Sequence, residues 1–288
     1  MTRERLLAER HLAMEDAHAN AILNSQTVNF NFAKIEEPKV EFFAAENTYS
    51  EWELNWMGIG TNQVKSGLVA VLPVRGSLSP DWSWGGTNTE WLARQLDICV
   101  GNPLVSAIVL AGDSGGGTVN GTALAANAVK DANAEKPVLG YVKGLVASAA
   151  YWIFSQTSEI YLSSGVSSAV GSIGVMGVYI SQAEALQKAG MDVRVLRSKG
   201  AEDKFALHPA EKINEDALAE EQKIIDAMRV EFWNAVQAGR PQITSDPGGK
   251  LYYGREAIKA GLANEVGTLT DVIKRADYLA RKRASSIS

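Results

Sequence analysis

The sequence predicts an α/β fold in which a mostly parallel sheet is covered by helices, with an N-terminal helical extension. Candidate strands alternate with helical segments along the chain, which is the order that builds a parallel sheet with covering helices. The candidate strands are short, continuous aliphatic runs, as expected for strands buried on both faces. With 288 residues, of which 46% are hydrophobic and 21% charged, the chain has the composition of a globular protein and not of a disordered one.

The N-terminal part of the chain differs from the rest in its pattern. Residues 2–24 place leucine and alanine at helical spacing between charges, which predicts an amphipathic helix that serves as a packing or oligomerisation arm. Residues 25–66 are polar and aromatic with weak periodicity and contain a Gly-Ile-Gly break, which is typical of a linker. We therefore divide the chain into an N-terminal helical arm and linker over 1–66 and a main domain over 67–288.

The main domain begins with a strand and then alternates helices and strands. Pro73 ends the first aliphatic run, and Gly-Asn-Pro at 101–103 stops the first helix, which Thr87 or Asn88 caps. The predicted strands are 68–72, 105–110, 138–142, 160–162, 174–178 and 193–196. The predicted helices are 88–100, an alanine-rich helix ending near 134, one starting near Ser148, 182–189 and 209–238.

Charge and composition exclude several classes of function. Lys and Arg total 28 against 33 Asp and Glu, so the net charge of −5 provides no basic field for nucleic acid or an anionic membrane. The single cysteine excludes an internal disulfide, and no residues have metal-ligand spacing, so we expect neither a metal nor a cofactor. No secretory signal is present, and the apolar runs are shorter than the roughly 18 residues of a membrane-spanning helix. We expect a soluble, cytoplasmic protein without a membrane anchor.

Two serines compete as the nucleophile of a hydrolase. Ser114 lies in Gly-Asp-Ser-Gly-Gly, a string shared with chymotrypsin-like proteases, but the upstream histidines, His11 and His18, fall in the charged N-terminal segment. The same string fits the nucleophile turn of an α/β-hydrolase, for which His208 lies downstream in the chain. An α/β-hydrolase that uses Ser114 and His208 therefore stays open as an alternative.

Ser148 is the second candidate. It stands among small residues at the start of an apolar helix, where a substrate backbone can approach closely and free N–H groups face a developing oxyanion. Earlier in the chain, three consecutive glycines, residues 115–117, can expose further N–H groups toward a ligand. A glycine-rich turn and a serine at a helix start would suffice for an oxyanion hole and a nucleophile.

Several motifs, in a fixed order, resemble those of the signal-peptide-peptidase-A family of serine proteases, relatives of Clp protease with the crotonase-like fold. The resemblance covers residues 68–273. Its motifs are Asp-Ser-Gly-Gly-Gly-Thr-Val at 113–119, Gly-Leu-Val-Ala-Ser-Ala-Ala-Tyr at 144–151, Val-Gly-Ser-Ile-Gly-Val at 170–175, Arg-Ser-Lys-Gly-Ala-Glu-Asp-Lys at 197–204, and the Gly-Arg-Glu-Ala element within 253–267. The resemblance implies that residues 67–288 form a serine peptidase domain with the crotonase-like fold.

The resemblance also assigns roles to residues. Ser148 matches the nucleophile and Lys204 the general base of a Ser-Lys dyad, so no histidine is required; the lysine element carries one extra residue, which keeps Lys199 as a competitor. A lysine has an ordinary pKa of roughly 10.4, and burial lowers it, so that the free amine can accept the serine proton. Gly116, Gly117 and Ala149 match the oxyanion hole. The residues that match the substrate groove are Gly171, Ser172, Ile173, Gly174 and Val175.

The resemblance implies a serine endopeptidase that cleaves polypeptides, as a homo-oligomer, in phage or prophage head or scaffold processing. Such an enzyme would work in the bacterial host cytoplasm, in association with a procapsid, on capsid or scaffold protein. The alternatives are a soluble bacterial housekeeping protease of the same family, a non-proteolytic crotonase-like enzyme acting on acyl thioesters, and a catalytically silent shell subunit. Whether Ser148 and Lys204 of one chain meet, or one chain lends its lysine to the next, stays open.

Overall fold

The computed structural model describes residues 11–14, 38–44, 67–81 and 85–287, and in these ranges the chain forms one sheet with helices on its faces. The strands are β1 His11–Met14, β2 Glu41–Ala44, β3 Leu68–Leu78, β4 Val105–Thr118, β5 Val138–Ala147, β6 Glu159–Leu162, β7 Ala169–Gly171, β8 Met176–Gly177, β9 Leu251–Tyr253 and β10 Glu265–Val266. The helices are α1 Thr89–Gly101, α2 Thr122–Glu135, α3 Ala149–Phe154, α4 Ala183–Lys188, α5 Glu215–Gly239, α6 Gly254–Lys259 and α7 Leu269–Ile287.

The centre of the sheet is parallel. β3, β4, β5, β6 and β10 lie side by side in that order, and each pairs in parallel with its neighbour. The aliphatic side chains of β3, β4 and β5 are buried on both faces, which is why these three strands read as continuous apolar runs in the sequence. The predicted α/β class with a mostly parallel sheet is confirmed.

Helices cover the two faces of this sheet. α1, α2, α3 and the end of α5 pack on one face in the larger hydrophobic core. On the other face, Val272 and Ala276 of α7 pack against Val69, Val109 and Leu139 of the sheet. α1 begins where predicted because the side chain of Asn88 accepts a hydrogen bond from the N–H of Trp91, at 2.7 Å. Within the described ranges, no helix is both long and apolar enough to cross a membrane.

Strands β3 and β4 continue beyond their predicted ends. Pro73 does not stop β3, because the pairing of β2 with β3 ends at Val71 and leaves that edge without a partner in the described residues. β4 continues through the glycines to Thr118. A register shift between Arg75 and Ser77 lets β3 stay paired with β4 as far as Gly117. The glycine run is therefore the end of a strand and not a free turn.

The N-terminal prediction is wrong in part. The described residues of the predicted 2–24 helix, His11–Met14, form strand β1, which pairs antiparallel with β4 and with β8. Pairing with open strand edges here outweighs the helical spacing of leucine and alanine, which gives only a weak local preference. Residues 38–44 of the predicted linker contain β2, which extends the same sheet. The rest of 1–66 lies outside the described residues, so the boundary at 66/67 stays a prediction.

Residues 174–231, which we call the exposed arm, contain no buried residue, and the structure describes all of them. The predicted strand 193–196 does not form, because this segment has no neighbouring strand; Leu196 is 93% exposed. α5 begins at Glu215, later than predicted, since the side chain of Asn214 caps it by accepting two backbone N–H bonds. The arm exposes large apolar side chains, namely Ile180, Met191, Val193, Leu196, Phe205, Ile213, Ile224 and Val230.

Candidate active site

Ser148 lies at the joint between β5 and α3. Its backbone has φ 55° and ψ −127°, a left-handed conformation that is uncommon for any residue other than glycine. Its N–H donates to the carbonyl of Gly171 at 2.8 Å, which fixes the joint against β7. Strain of this kind persists only where the surrounding structure holds it, and it concentrates at functional sites.

The hydroxyl of Ser148 is unused by the fold. The residue is fully buried, and its Oγ has no hydrogen-bond partner among the described residues. A buried hydroxyl without a partner costs free energy, so its presence needs a reason other than stability. The first bond inside α3 runs from the N–H of Trp152 to the carbonyl of Ser148, so the N–H of Ala149 precedes the helical ladder. An N–H in that position can face an oxyanion formed at Ser148.

The glycine run beside Ser148 supplies fewer free donors than predicted. Gly116 has φ 101°, but its N–H donates to the hydroxyl of Ser114 at 3.1 Å, so Gly116 is not available as an oxyanion donor. Gly117 is a glycine for steric reasons, since a Cβ there would lie 1.9 Å from the carbonyl oxygen of Leu78 on β3. The oxyanion roles of Gly116, Gly117 and Ala149 stay predictions.

Ser114 belongs to the scaffold. It lies within β4 and is 2% exposed, and its hydroxyl donates to the carbonyl of Gly76 at 2.6 Å while accepting the N–H of Gly116. His208 lies on the exposed arm, where its Nδ1 accepts the N–H of Ala210 at 3.1 Å. The geometry therefore contradicts the α/β-hydrolase alternative, because Ser114 is held by structural hydrogen bonds and does not bond to His208.

The predicted groove residues, 171–175, begin at the last residue of β7, Gly171, whose carbonyl accepts the N–H of Ser148. Ser172 has φ 54°, and the N–H groups of Ser172 and Ile173 donate to the carbonyls of Lys250 and Gly248. The N–H of Gly174 donates back to Ser172, so these three groups are already bonded. The next two residues, β8, form the edge that pairs with another strand. The groove role of residues 171–175 stays a prediction.

Both candidate lysines lie on the exposed arm. Lys199 and Lys204 are exposed, and neither bonds to the hydroxyl of Ser148, which has no partner in the described part of the chain. Arg197 holds the loop around Lys204: its Nε donates to the carbonyl of Lys204 at 2.7 Å, and its two terminal nitrogens bond the carboxylate of Glu211. That hydrogen bond lowers the pKa of Glu211 below its ordinary value. The Ser-Lys dyad stays a prediction, since neither lysine is hydrogen-bonded to the hydroxyl of Ser148 in the single chain.

The sequence matches known proteins over the region just described. The model of peptidase family S49 matches residues 130–283, which include Ser148, the groove residues and the exposed arm. The chain belongs to peptidase family S49. The structure shows a mixed α/β sheet covered by helices, and the motif resemblance implies that this is the crotonase-like fold.

Relatives of this S49 chain include proteins of phages and of a bacterium. It is 30% identical to Capsid assembly protease C of Escherichia phage lambda over 73% of this chain and 49% of that protein. It is 29% identical to the Head-tail preconnector protein GP5 of Enterobacteria phage P21, over 71% and 42%. It is 26% identical to Protease 4 of Salmonella typhi, over 82% and 38%. The S49 chain therefore spans half or less of the length of these relatives.

A buried polar network supports α3 in this S49 chain. The hydroxyl of Tyr151 donates to the carbonyl of Leu262 at 3.0 Å, and burial raises its pKa. Arg240, 1% exposed, bonds the side chains of Thr157 and Asn264 at 3.0 and 3.1 Å. The network ties the helix that follows Ser148 to the segment before β10. Nothing in the sequence around Arg240 distinguishes it from a surface charge, so the sequence analysis missed it.

No metal site accompanies these features in the residues described. Among residues 11–14, 38–44, 67–81 and 85–287, no group of three or more His, Cys, Asp or Glu side chains could hold a metal ion.

Proposed function

We propose that this chain is a serine endopeptidase in which Ser148 is the nucleophile and Lys204 the general base. One observation carries the proposal: in a chain of a peptidase family, Ser148 presents a buried, unpartnered hydroxyl at a strained joint beside a glycine-rich strand end. Burial of this hydroxyl costs free energy, and no hydrogen bond offsets that cost. A nucleophile is the role that explains both.

The reaction follows from these positions. Ser148 Oγ attacks the carbonyl carbon of the scissile peptide while Lys204 Nζ, as the neutral amine, takes the hydroxyl proton. The N–H groups of Gly117 and Ala149 stabilise the negative charge that forms on the carbonyl oxygen. The C–N bond then breaks, and the ammonium of Lys204 returns the proton to the leaving amine. Water, deprotonated by Lys204, hydrolyses the acyl-enzyme and restores Ser148.

We propose that a second copy of the chain supplies the base, because Lys204 is not hydrogen-bonded to Ser148 in the single chain. Lys204 is carried by the exposed arm, which has no buried residue and yet exposes large apolar side chains such as Leu196 and Phe205. If these side chains lie together, they would form the kind of apolar patch that marks a protein–protein contact. Packing of the arm on the next chain of a homo-oligomer would bury that surface and desolvate Lys204, which favours its neutral form.

For the substrate, we propose a phage or prophage head or scaffold protein, processed in the host cytoplasm in association with a procapsid. Two relatives carry this suggestion in their names, the capsid assembly protease of phage lambda and the preconnector protein of phage P21. An extended polypeptide would bind by strand addition, which takes affinity from the backbone and selectivity from side-chain pockets.

The test of the nucleophile compares Ser148→Ala with Ser114→Ala in the full chain. Ser148→Ala should abolish labelling by a fluorophosphonate and cleavage of a fluorescent casein, while Ser114→Ala, once shown to be folded, keeps both. Labelling that survives Ser148→Ala would overturn the proposal, and coenzyme A binding by that variant would point to the acyl-thioester enzyme instead.

The test of the base uses mixing. Ser148→Ala and Lys204→Ala are each expected to be inactive alone. If adjacent chains share the dyad, dissociating and reassembling an equal mixture restores activity at about a quarter of the sites. In those sites, the chain that keeps Ser148 lies next to a chain that keeps Lys204. A mixture that stays inactive, with wild-type activity recovered by the same procedure, places both residues in one chain. Lys199→Ala is the matched control and should remain active.

A further inference from the structure

The cleft beside Ser148 is bounded by two strand edges. β5 pairs with β4 only as far as Val146, opposite Ser114, and then turns to pair with β7. Residues 116–118 of β4 are thereby left with an open edge on that side. β8 offers a second edge, just after the groove residues. Unpaired backbone N–H and C=O groups at such edges accept an added strand.

Strand β1, His11–Met14, lies between these two edges. It runs antiparallel to β4, with Leu12 opposite Thr118 and Met14 opposite Gly116. It also runs antiparallel to β8, with Leu12 opposite Met176. Leu12 is therefore the residue of β1 that has a pairing partner on both sides. An N-terminal segment of this chain completes the sheet at the candidate active site.

This position is the one that a substrate strand would need. One side of it is the glycine-rich strand end that carries Gly117, and the other side continues from the groove segment bonded to Ser148 through Gly171. Each backbone group on these edges can pair with β1 or with a substrate, but not with both.

We propose that the His11–Met14 segment is an internal ligand of the substrate cleft, which a polypeptide substrate must displace. This inference rests on the proposed function for its effect on cleavage, whereas the pairing itself does not. A tethered segment competes at an effective concentration of about millimolar. The segment therefore raises the apparent KM for a polypeptide substrate, because the segment and the substrate exclude each other from the cleft. It leaves kcat unchanged, because it is absent from the cleft once the substrate is bound.

The first experiment measures the pairing without any cleavage. In the full chain carrying Ser148→Ala, we compare Leu12→Pro with Leu7→Pro by amide hydrogen exchange and mass spectrometry. Leu12 is the residue of β1 that has a pairing partner on both β4 and β8, and proline at this position removes its backbone N–H. Leu7 lies outside β1. Leu12→Pro should accelerate exchange in peptides that contain residues 116–118 and 176–177, and Leu7→Pro should not. Equal exchange in both variants and in the parent would overturn the proposal.

The second experiment locks the segment in place and does not depend on a disruptive substitution. Directly opposed residues of antiparallel strands have Cα atoms about 4.5 to 5.5 Å apart, which suits a disulfide. Leu12→Cys combined with Met176→Cys should form an intrachain disulfide on mild oxidation, and neither single substitution should form one, because the native Cys99 is buried. Failure of the first pair to cross-link would contradict the pairing.

Cleavage kinetics then test the competition. With Ser148 intact, Leu12→Pro should lower KM for a casein substrate about tenfold with kcat unchanged. In the variant with Leu12→Cys and Met176→Cys, the disulfide should block cleavage until a reductant is added. A cross-linked chain that cleaves at the wild-type rate would overturn the proposal. If no form of the chain cleaves or is labelled, the proposed function fails, while the exchange and cross-linking results still decide whether the segment fills the cleft.

Discussion

Replacing Ser148 by alanine should stabilise the protein, although it removes the proposed nucleophile. The hydroxyl is fully buried and has no partner among the described residues, so the folded state bears the desolvation of a hydroxyl that water satisfied in the unfolded chain. That penalty is about 1 to 3 kcal/mol. Alanine tolerates φ 55° no better than serine, so the backbone strain is unchanged. We expect the free energy of unfolding to rise by about 1 kcal/mol or more.

Ser114→Ala is the matched comparison and should act in the opposite direction. Both substitutions remove one buried hydroxyl, but that of Ser114 donates to Gly76 and accepts from Gly116. Alanine would leave two backbone groups without these partners inside the protein. The expected loss is about 2 kcal/mol, close to the cost of an unsatisfied buried polar group.

Urea unfolding at one fixed protein concentration measures both effects, with the slope of the transition compared to confirm that only stability has changed. The concentration must be fixed because assembly would shift the apparent stability. The reasoning is refuted if Ser148→Ala lowers the free energy of unfolding by about 1 kcal/mol, a loss that would correspond to a normal buried hydrogen bond. It is also refuted if Ser114→Ala has no effect.

Three further predictions concern the supports of the site. Arg197→Lys should lower kcat about tenfold or more without changing the urea midpoint, because lysine cannot bond Glu211 and the carbonyl of Lys204 together; equal activity would show that this loop does not position the base. Tyr151→Phe should cost about 1 to 3 kcal/mol in urea unfolding, because the carbonyl of Leu262 loses its buried donor, and a change near zero would contradict this. The hydrogen bond from Arg275 lowers the pKa of Glu159, so the ion pair stabilises the fold above the ordinary glutamate pKa and loses this effect as the pH falls through the lowered value. As the pH falls below about 4.3, the urea midpoint of the wild type should therefore fall more steeply than that of Glu159→Gln. Parallel curves for the two proteins would count against this assignment.

The parts of the fold that the sequence predicts are those with strong local causes. The strands 68–72, 105–110 and 138–142 were found from aliphatic runs that the sheet buries on both faces. The joint at Ser148 was found because small residues precede an apolar helix there. In both cases, short-range pattern and final environment agree, and so pattern alone is sufficient.

The parts that the sequence did not predict depend on distant partners. β1 exists because residues 116–118 of β4 leave an open edge after β5 turns away, and no local pattern in His11–Met14 records that edge. The glycine run was interpreted as an exposed turn, whereas Gly117 is required by the close approach of Leu78 on β3. Arg240 became a buried residue only through Thr157 and Asn264, which are far from it along the chain.

Ser148 and Lys204 differ in how firmly the single chain holds them. Ser148 is fixed by its N–H bond to Gly171 and by the buried helix that starts after it, whereas Lys204 lies on an arm without a buried residue. A nucleophile and its base must meet within hydrogen-bond distance. In the proposed oligomer, the free energy that places Lys204 beside Ser148 would come from contacts between chains. In the proposed oligomer this makes cleavage depend on protein concentration, as in other assemblies whose subunits complete each other's sites. Dilution would remove the base while the core of the sheet and Ser148 stay folded. The N-terminal strand would still fill the cleft, so a lone chain would lack the base and would also bind a polypeptide substrate more weakly.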